Sequence, residues 1–229
     1  MTMTTIRRSP LHDWLEHLHP EWIQIHGMPA VLHFGDMAHE AEQVRTLALC
    51  DLSALPRIGI KGRGGETWLL KHGNTAPNKV FGHAELATGD GLIIRTGTSE
   101  LFIEDGIGGD VVSTLWAEAD SALVDVYRFH RQDAAMLLSG ERAWEVLAET
   151  CGYNFREPDA DLVFSRVAGV SCCILRQDRD GFPLFRIWCD PSFGSYLWEQ
   201  LHEITREHGG NAVGLLAYSP SALEKGTTR

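Results

Sequence analysis

One phrase occurs twice in this chain, and the repetition limits what the chain can fold into. Arg57 to Asn74 reads RIGIKGRGGETWLLKHGN, and Ala134 to Gly152 reads AAMLLSGERAWEVLAETCG. Each begins with a short strand-like run, turns at a glycine (Gly62, Gly140) and enters an amphipathic stretch with a tryptophan (Trp68, Trp144). Glycine-bounded β runs follow in both halves, and each half closes on a second helical stretch with its own tryptophan (Trp116, Trp198). The offset of about 78 positions is longer than the roughly 20–50 residues of a solenoid unit. The pattern therefore predicts an α+β fold of duplicated strand-helix-strands-helix modules, and directs the search for function to where the two copies face each other.

The divisions implied are an N-terminal extension over 1–37, a first module over 38–122 and a second over 123–229. In the first, Ala38 to Leu49 has helical periodicity, with Ala41, Val44, Leu47 and Ala48 on one face. Asp51, Ser53 and Pro56 then break the helix, and Arg57 to Lys61 alternates as a strand. Glu85 to Glu104 reads as a β meander punctuated by Gly89, Gly91 and Gly97, and Asp110 to Ala119 as a helix with Val111, Val112, Leu115 and Trp116 inward. In the second, Leu123 to Phe129 leads into the repeated phrase. Ser139-Gly140 is suited to cap the helix after it, and Asp190-Pro191 to open a long helix burying Phe193, Leu197, Leu201 and Ile204. This order of elements predicts a ferredoxin-like second half.

A formal net charge of -11 argues against a nucleic-acid partner, because duplex binding depends on Lys and Arg neutralising phosphates. Five cysteines without a CxxC spacing suggest neither a disulfide framework nor a zinc site. The N-terminus has no apolar run after Arg7-Arg8, and no stretch approaches 18 apolar residues. No membrane association and a cytoplasmic location are expected. His12, His17, His19 and His26 crowd Leu11 to Met28, but HxH within a helix sets the two rings about 200° apart. Solvent-facing or locally bonded histidines are expected there, and no metal. Arg63-Gly64-Gly65 opens the helix bearing Trp68. It matches neither a dinucleotide fingerprint nor a P-loop, and packing is its expected use.

Read end to end, the chain resembles the folate-binding region of the glycine-cleavage T-protein (aminomethyltransferase) superfamily, and in size the gamma subunits of heterotetrameric sarcosine oxidases. Four stretches carry the resemblance: HEAEQVRTLALCDLSALPRIGIKG with Glu40, Arg45, Asp51, Ser53, Arg57 and Gly62; DGLIIRTGTSELFI; LLSGERAWEVL; and FGSYLWEQL followed by GLLAYSPSALEKG. Together they span roughly residues 25 to 226. The resemblance implies that Asp90 stands for one member of a paired-aspartate motif near the pterin N5, whereas Gly91 occupies the other position. It implies that Glu224 hydrogen-bonds the pterin ring, and that Tyr218 and Ala222 stand at two positions held by arginine in the family. Glu104-Asp105-Gly106 replaces an asparagine-bearing stretch, Asp180-Gly181-Phe182 a tyrosine-threonine-glycine turn, and the family's C-terminal barrel domain is not expected.

Two functions are implied. In one, the protein binds tetrahydrofolate and receives a one-carbon unit from a methylated amine. Asp90 is then the acid/base group, Glu224 and Tyr218 lie at the pterin, and Arg57, Lys61 or Arg95 meets the folate glutamate tail. In the other, the chain is a non-catalytic gamma-type subunit packed against a larger flavoprotein, with Trp14, Trp22, Phe81 and Tyr196 available to an interface.

Overall fold

The computed structural model describes residues 7–86, 89–119, 123–158 and 160–219, without the side chain of Asp90. From the N-terminus, α1 (His12–Glu16), the hairpin β1 (Glu21–Ile25) and β2 (Met28–His33), α2 (Met37–Thr46) and β3 (Ala48–Asp51) come first. The middle of the chain supplies β4 (Arg57–Lys61), α3 (Gly65–Lys71), β5 (His83–Leu86), β6 (Gly89–Gly97), β7 (Glu100–Glu104), α4 (Val111–Ala117) and β8 (Tyr127–His130). The last third supplies β9 (Ala134–Ser139), α5 (Ala143–Thr150), β10 (Leu162–Val167), β11 (Val170–Arg179), β12 (Phe182–Cys189), α6 (Gly194–Glu207), β13 (Asn211–Ala212) and α7 (Leu215–Tyr218). The α+β class is as expected.

Two compact units result. In the first, described residues up to Ala54 join those from Asp133 onward. Its six-stranded sheet runs β10-β11-β12-β9-β3-β13, antiparallel except for the β13–β3 pair. The core lies between this sheet and α5 and α6, with Leu138, Val146, Phe185, Leu197, Trp198 and Leu201 each at most 1% exposed. The second unit is Leu55 to Gln132, whose five-stranded antiparallel sheet runs β5-β6-β7-β4-β8. Ile58, Ile60, Ile93 and Ile103 pack with Leu69 of α3 and Leu115 of α4 to form its core.

The two glycine turns use the same hydrogen bonds. In one unit Gly62 N–H donates to Ser99 O, Gly64 N–H to Asp125 O and Gly65 N–H to Gly62 O, at 2.9–3.2 Å. In the other, Gly140, Arg142 and Ala143 donate to Pro183 O, Thr46 O and Gly140 O, at 3.0–3.1 Å. Both glycines are left-handed (φ 117° and 108°). A Cβ would come within 2.0 Å of Asp125 O at Gly62, and 2.4 Å of the Thr46 carbonyl carbon at Gly140. Strain and collision therefore add, so Gly62→Ala and Gly140→Ala should each cost at least about 2 kcal/mol in urea unfolding. An unchanged midpoint would contradict this account of the turns.

Several boundaries differ from expectation. The helix expected to reach Leu49 ends at Thr46, and Ala48–Asp51 is a fully buried strand. The helix after Gly140 has Arg142 at its N-cap, without a side-chain cap. Asp190 does cap as expected, accepting from Ser192 N at 2.9 Å, but it opens a 3-10 turn over Pro191–Phe193. Phe193 is consequently 51% exposed, and α6 buries Leu197, Trp198 and Leu201. The histidine-rich segment is mostly not helical, since α1 ends at Glu16, and His26 sits with Gly27 in the β1–β2 turn.

Candidate functional site

The residues singled out in the sequence have different surroundings. Arg57 and Glu104 face each other across β4 and β7, and Arg57 Nε donates to Glu104 Oε2 at 2.6 Å with both side chains at most 1% exposed. Arg95 is also buried. Its Nε donates to Pro77 O at 2.5 Å, Nη1 to Thr98 O at 3.0 Å, and Nη2 lies 2.6 Å from Glu66 Oε1. Lys61 is instead half exposed, 3.4 Å from Glu100 Oε2 and over the Phe129 ring. Lys61 and Arg95 line adjoining pockets around Gly62, the more enclosed of about 160 Å³ between Glu66, Arg95, Thr98 and Leu101.

Tyr218, in α7 of the other unit, is buried. Its hydroxyl accepts from Arg186 Nη2 at 2.6 Å and its carbonyl from Arg179 Nη1 at 3.0 Å. Glu40, Asp51 and Ser53, quoted for the resemblance, are structural here. Glu40 accepts from Phe34 N and Gly214 N, Asp51 accepts from Ser9 Oγ and Ser53 N, and Ser53 Oγ accepts from Ala135 N. The backbone of Asp90 belongs to β6; its side chain and all of Glu224 lie outside the described residues.

The structure adds one residue that the sequence marked only as part of a departure from the family pattern, not as a site residue. Asp105 follows β7, fully buried, with Oδ2 accepting from Val112 N at 3.0 Å and Oδ1 without a hydrogen-bond partner. Burial pushes this carboxyl up to about 6; the Val112 amide opposes the rise, and the charges of Asp110 and Glu104 add to it. The segment packs against the strand that carries Asp90. A Cβ on Gly91 would lie 2.9 Å from Glu104 O and 3.0 Å from Gly106 N, so only glycine fits after Asp90. The ends of β6 and β7 thus bring together a buried carboxyl with a raised pKa, an ion-paired carboxylate and the Asp90 backbone. Such a carboxyl releases or takes up one proton near neutral pH and keeps one oxygen open to a further donor. The available signal was the acidic pair Glu104-Asp105 ending an apolar strand.

Comparison with known proteins assigns the family. An aminomethyltransferase of Halalkalibacterium halodurans is 26% identical over 231 residues, covering 93% of this chain and 62% of its own length. One of a Thermoanaerobacter species is 22% identical over 241 residues, covering 98% and 65%. The chain thus spans less than two thirds of these relatives. Among solved structures, glycine cleavage system aminomethyltransferase T from Bartonella henselae superposes with a TM-score of 0.72 at 18% identity, over 96% of this chain and 63% of that one. A heterotetrameric sarcosine oxidase from Corynebacterium sp. U-96, in complex with pyrrole 2-carboxylate, superposes at 0.61 and 17% identity, over 89% and 96%. These two likenesses show the fold. The GCVT N-terminal domain family matches residues 11–229, and the chain belongs to that family as an aminomethyltransferase-like domain.

Proposed function

We propose that this chain is a cytoplasmic, tetrahydrofolate-binding, aminomethyltransferase-like component of one-carbon and N-methyl amine metabolism. The supporting observation is the buried Asp105 carboxyl, with one open oxygen, behind the Asp90–Gly91 stretch of β6. Tetrahydrofolate, when bound, supplies the nitrogen that takes up the one-carbon unit. Asp90 holds or exchanges the proton at the substrate amine. Glu224 accepts from the pterin ring, and Tyr218 contributes by fixing the Arg186 guanidinium. Lys61 is the exposed cation suited to the glutamate tail, whereas Arg57 and Arg95 are buried and ion-paired within their unit.

Losing a positioned acid/base group costs about 10² to 10⁴ in rate. Asp90→Ala should therefore reduce transfer from an aminomethyl donor to tetrahydrofolate by that range, read as methylenetetrahydrofolate formed per unit time. A rate equal to that of the unaltered protein would remove Asp90 from the mechanism.

A second reading, a gamma-type subunit beside a flavoprotein, is supported by the fold likeness to a heterotetrameric sarcosine oxidase chain. Phe81 and Tyr196, each about half exposed, are available to an interface. Co-elution with a flavin-absorbing subunit would support it, and a chain that transfers the one-carbon unit alone would exclude a purely structural role.

The fold is also read as a duplication of 38–122 and 123–229, after an extension over 1–37. The order β6-β7-β4-β8, that of a ferredoxin-like βαββαβ unit, supports a duplication, but with β8 completing the first copy and β3 joining the second sheet, across the 122/123 bound. The order β11-β12-β9-β13 repeats it, with β3 inserted beside β9. The matching glycine-turn hydrogen bonds point the same way.

A further inference from the structure

We propose that Cys172 and Cys189 are a modification site, a dithiol set to close into an intrachain disulfide between β11 and β12 under two-electron oxidation. The two residues are direct partners in the antiparallel register of these strands. Their pair type follows from the turn. Asp180 and Gly181 both have positive φ (51° and 88°), which makes a two-residue hairpin loop flanked by the pair Arg179 and Phe182. That flanking pair is hydrogen-bonded, and the pairs alternate from there. Asp178 and Pro183 are then a non-hydrogen-bonded pair, as a residue without an N–H requires. Pro183 turns its carbonyl the other way, to Gly140 N at 3.0 Å.

Continuing the alternation makes Cys172 and Cys189 non-hydrogen-bonded as well. Cα atoms of such pairs lie about 4.5 Å apart with the side chains closest, within the roughly 4.4–6.8 Å span of disulfides. The thiols also interact directly: a hydrogen bond with Cys172 raises the pKa of Cys189, with burial and the charges of Asp133 and Asp190 adding to it. Both side chains are buried and belong to one core.

The step balances with a peroxide as oxidant. One thiol sulfur attacks a peroxide oxygen, giving a sulfenic acid and water. The second sulfur then displaces that oxygen as a second water, forming the S–S bond. Two thiols lose two electrons and two protons in all. Burial and the high pKa keep the thiolate scarce, so closure is slow, and the bond once formed is shielded from exchange.

The test treats the full-length protein with hydrogen peroxide and then alkylates it in denaturant. Five free cysteines are available at the start. Closure is expected to leave three alkylatable thiols, a Cys172–Cys189 cross-linked peptide, recovery of all five on reduction, and a higher urea midpoint for the oxidised form. Cys172→Ala and Cys189→Ala should each abolish the cross-link, whereas Cys50→Ala should retain it. Oxidation that leaves both thiols alkylatable, or that yields sulfinic acid or another pairing, would overturn the proposal. The unaltered protein alone gives that result, so a variant that fails to fold does not block the test.

Discussion

Replacing Asp105 by asparagine should remove a pH-dependent contribution to stability of up to about 3 kcal/mol, most of which is lost between pH 4 and 8. The figure follows from a carboxyl raised from 3.8 to about 6, at about 1.36 kcal/mol per unit. Its sign is opposite to that of a salt-bridged aspartate. The folded-state pKa lies above the unfolded value, so the folded chain binds more protons and its contribution is fully present below about pH 3.8. That contribution is lost as pH rises through about 6. Asparagine keeps an oxygen for the Val112 amide but cannot ionise. Urea unfolding of both proteins at pH 4 and 8 gives the difference directly, independent of any constant offset from the amide nitrogen. Parallel pH profiles would show that Asp105 ionises freely in the folded state.

The second large effect concerns the neighbouring residue. Arg57 and Glu104 are both buried, paired at 2.6 Å across β4 and β7. Taking away one partner leaves an uncompensated charge in the core, which typically costs about 3–5 kcal/mol. Arg57→Met or Glu104→Met should each show that loss. The double substitution should recover most of it, because a buried ion pair gains little over apolar side chains of similar volume. A double-mutant cycle in urea reads the coupling. Additive losses would mean that the two side chains do not depend on each other.

These two residues also show what could and could not be read from the chain. The repeated glycine turns were legible because glycine is required there twice over, by left-handed backbone and by contact with a neighbouring carbonyl. The meander from Glu85 to Glu104 was legible from alternation, but Gly91, expected at a turn, lies within β6. The burial of Arg57 was not. RIGIK alternates like a strand with one polar face, yet β4 lies inside the sheet and is covered on both faces. The residue that makes a buried arginine tolerable is 47 positions away. Arg95 was obscured in the same way, since two of its partners are backbone carbonyls, of Pro77 and Thr98, which no side-chain pattern announces. The overextended helix at Leu49 has a related cause. Ala48, Leu49 and Cys50 continue an apolar run that suits a helix face, but all three are buried in a strand paired with β9 and β13. Asp105 carried only a weak signal, because an acidic pair after a strand is also an ordinary way to begin a loop.

Calorimetric titration of the purified chain with tetrahydrofolate tests the central claim most directly, beside Asp90→Ala and Glu224→Ala. The account predicts micromolar binding that each substitution weakens about tenfold, or about 1.4 kcal/mol. No heat of binding at high tetrahydrofolate concentration, in a protein that unfolds cooperatively, would contradict it.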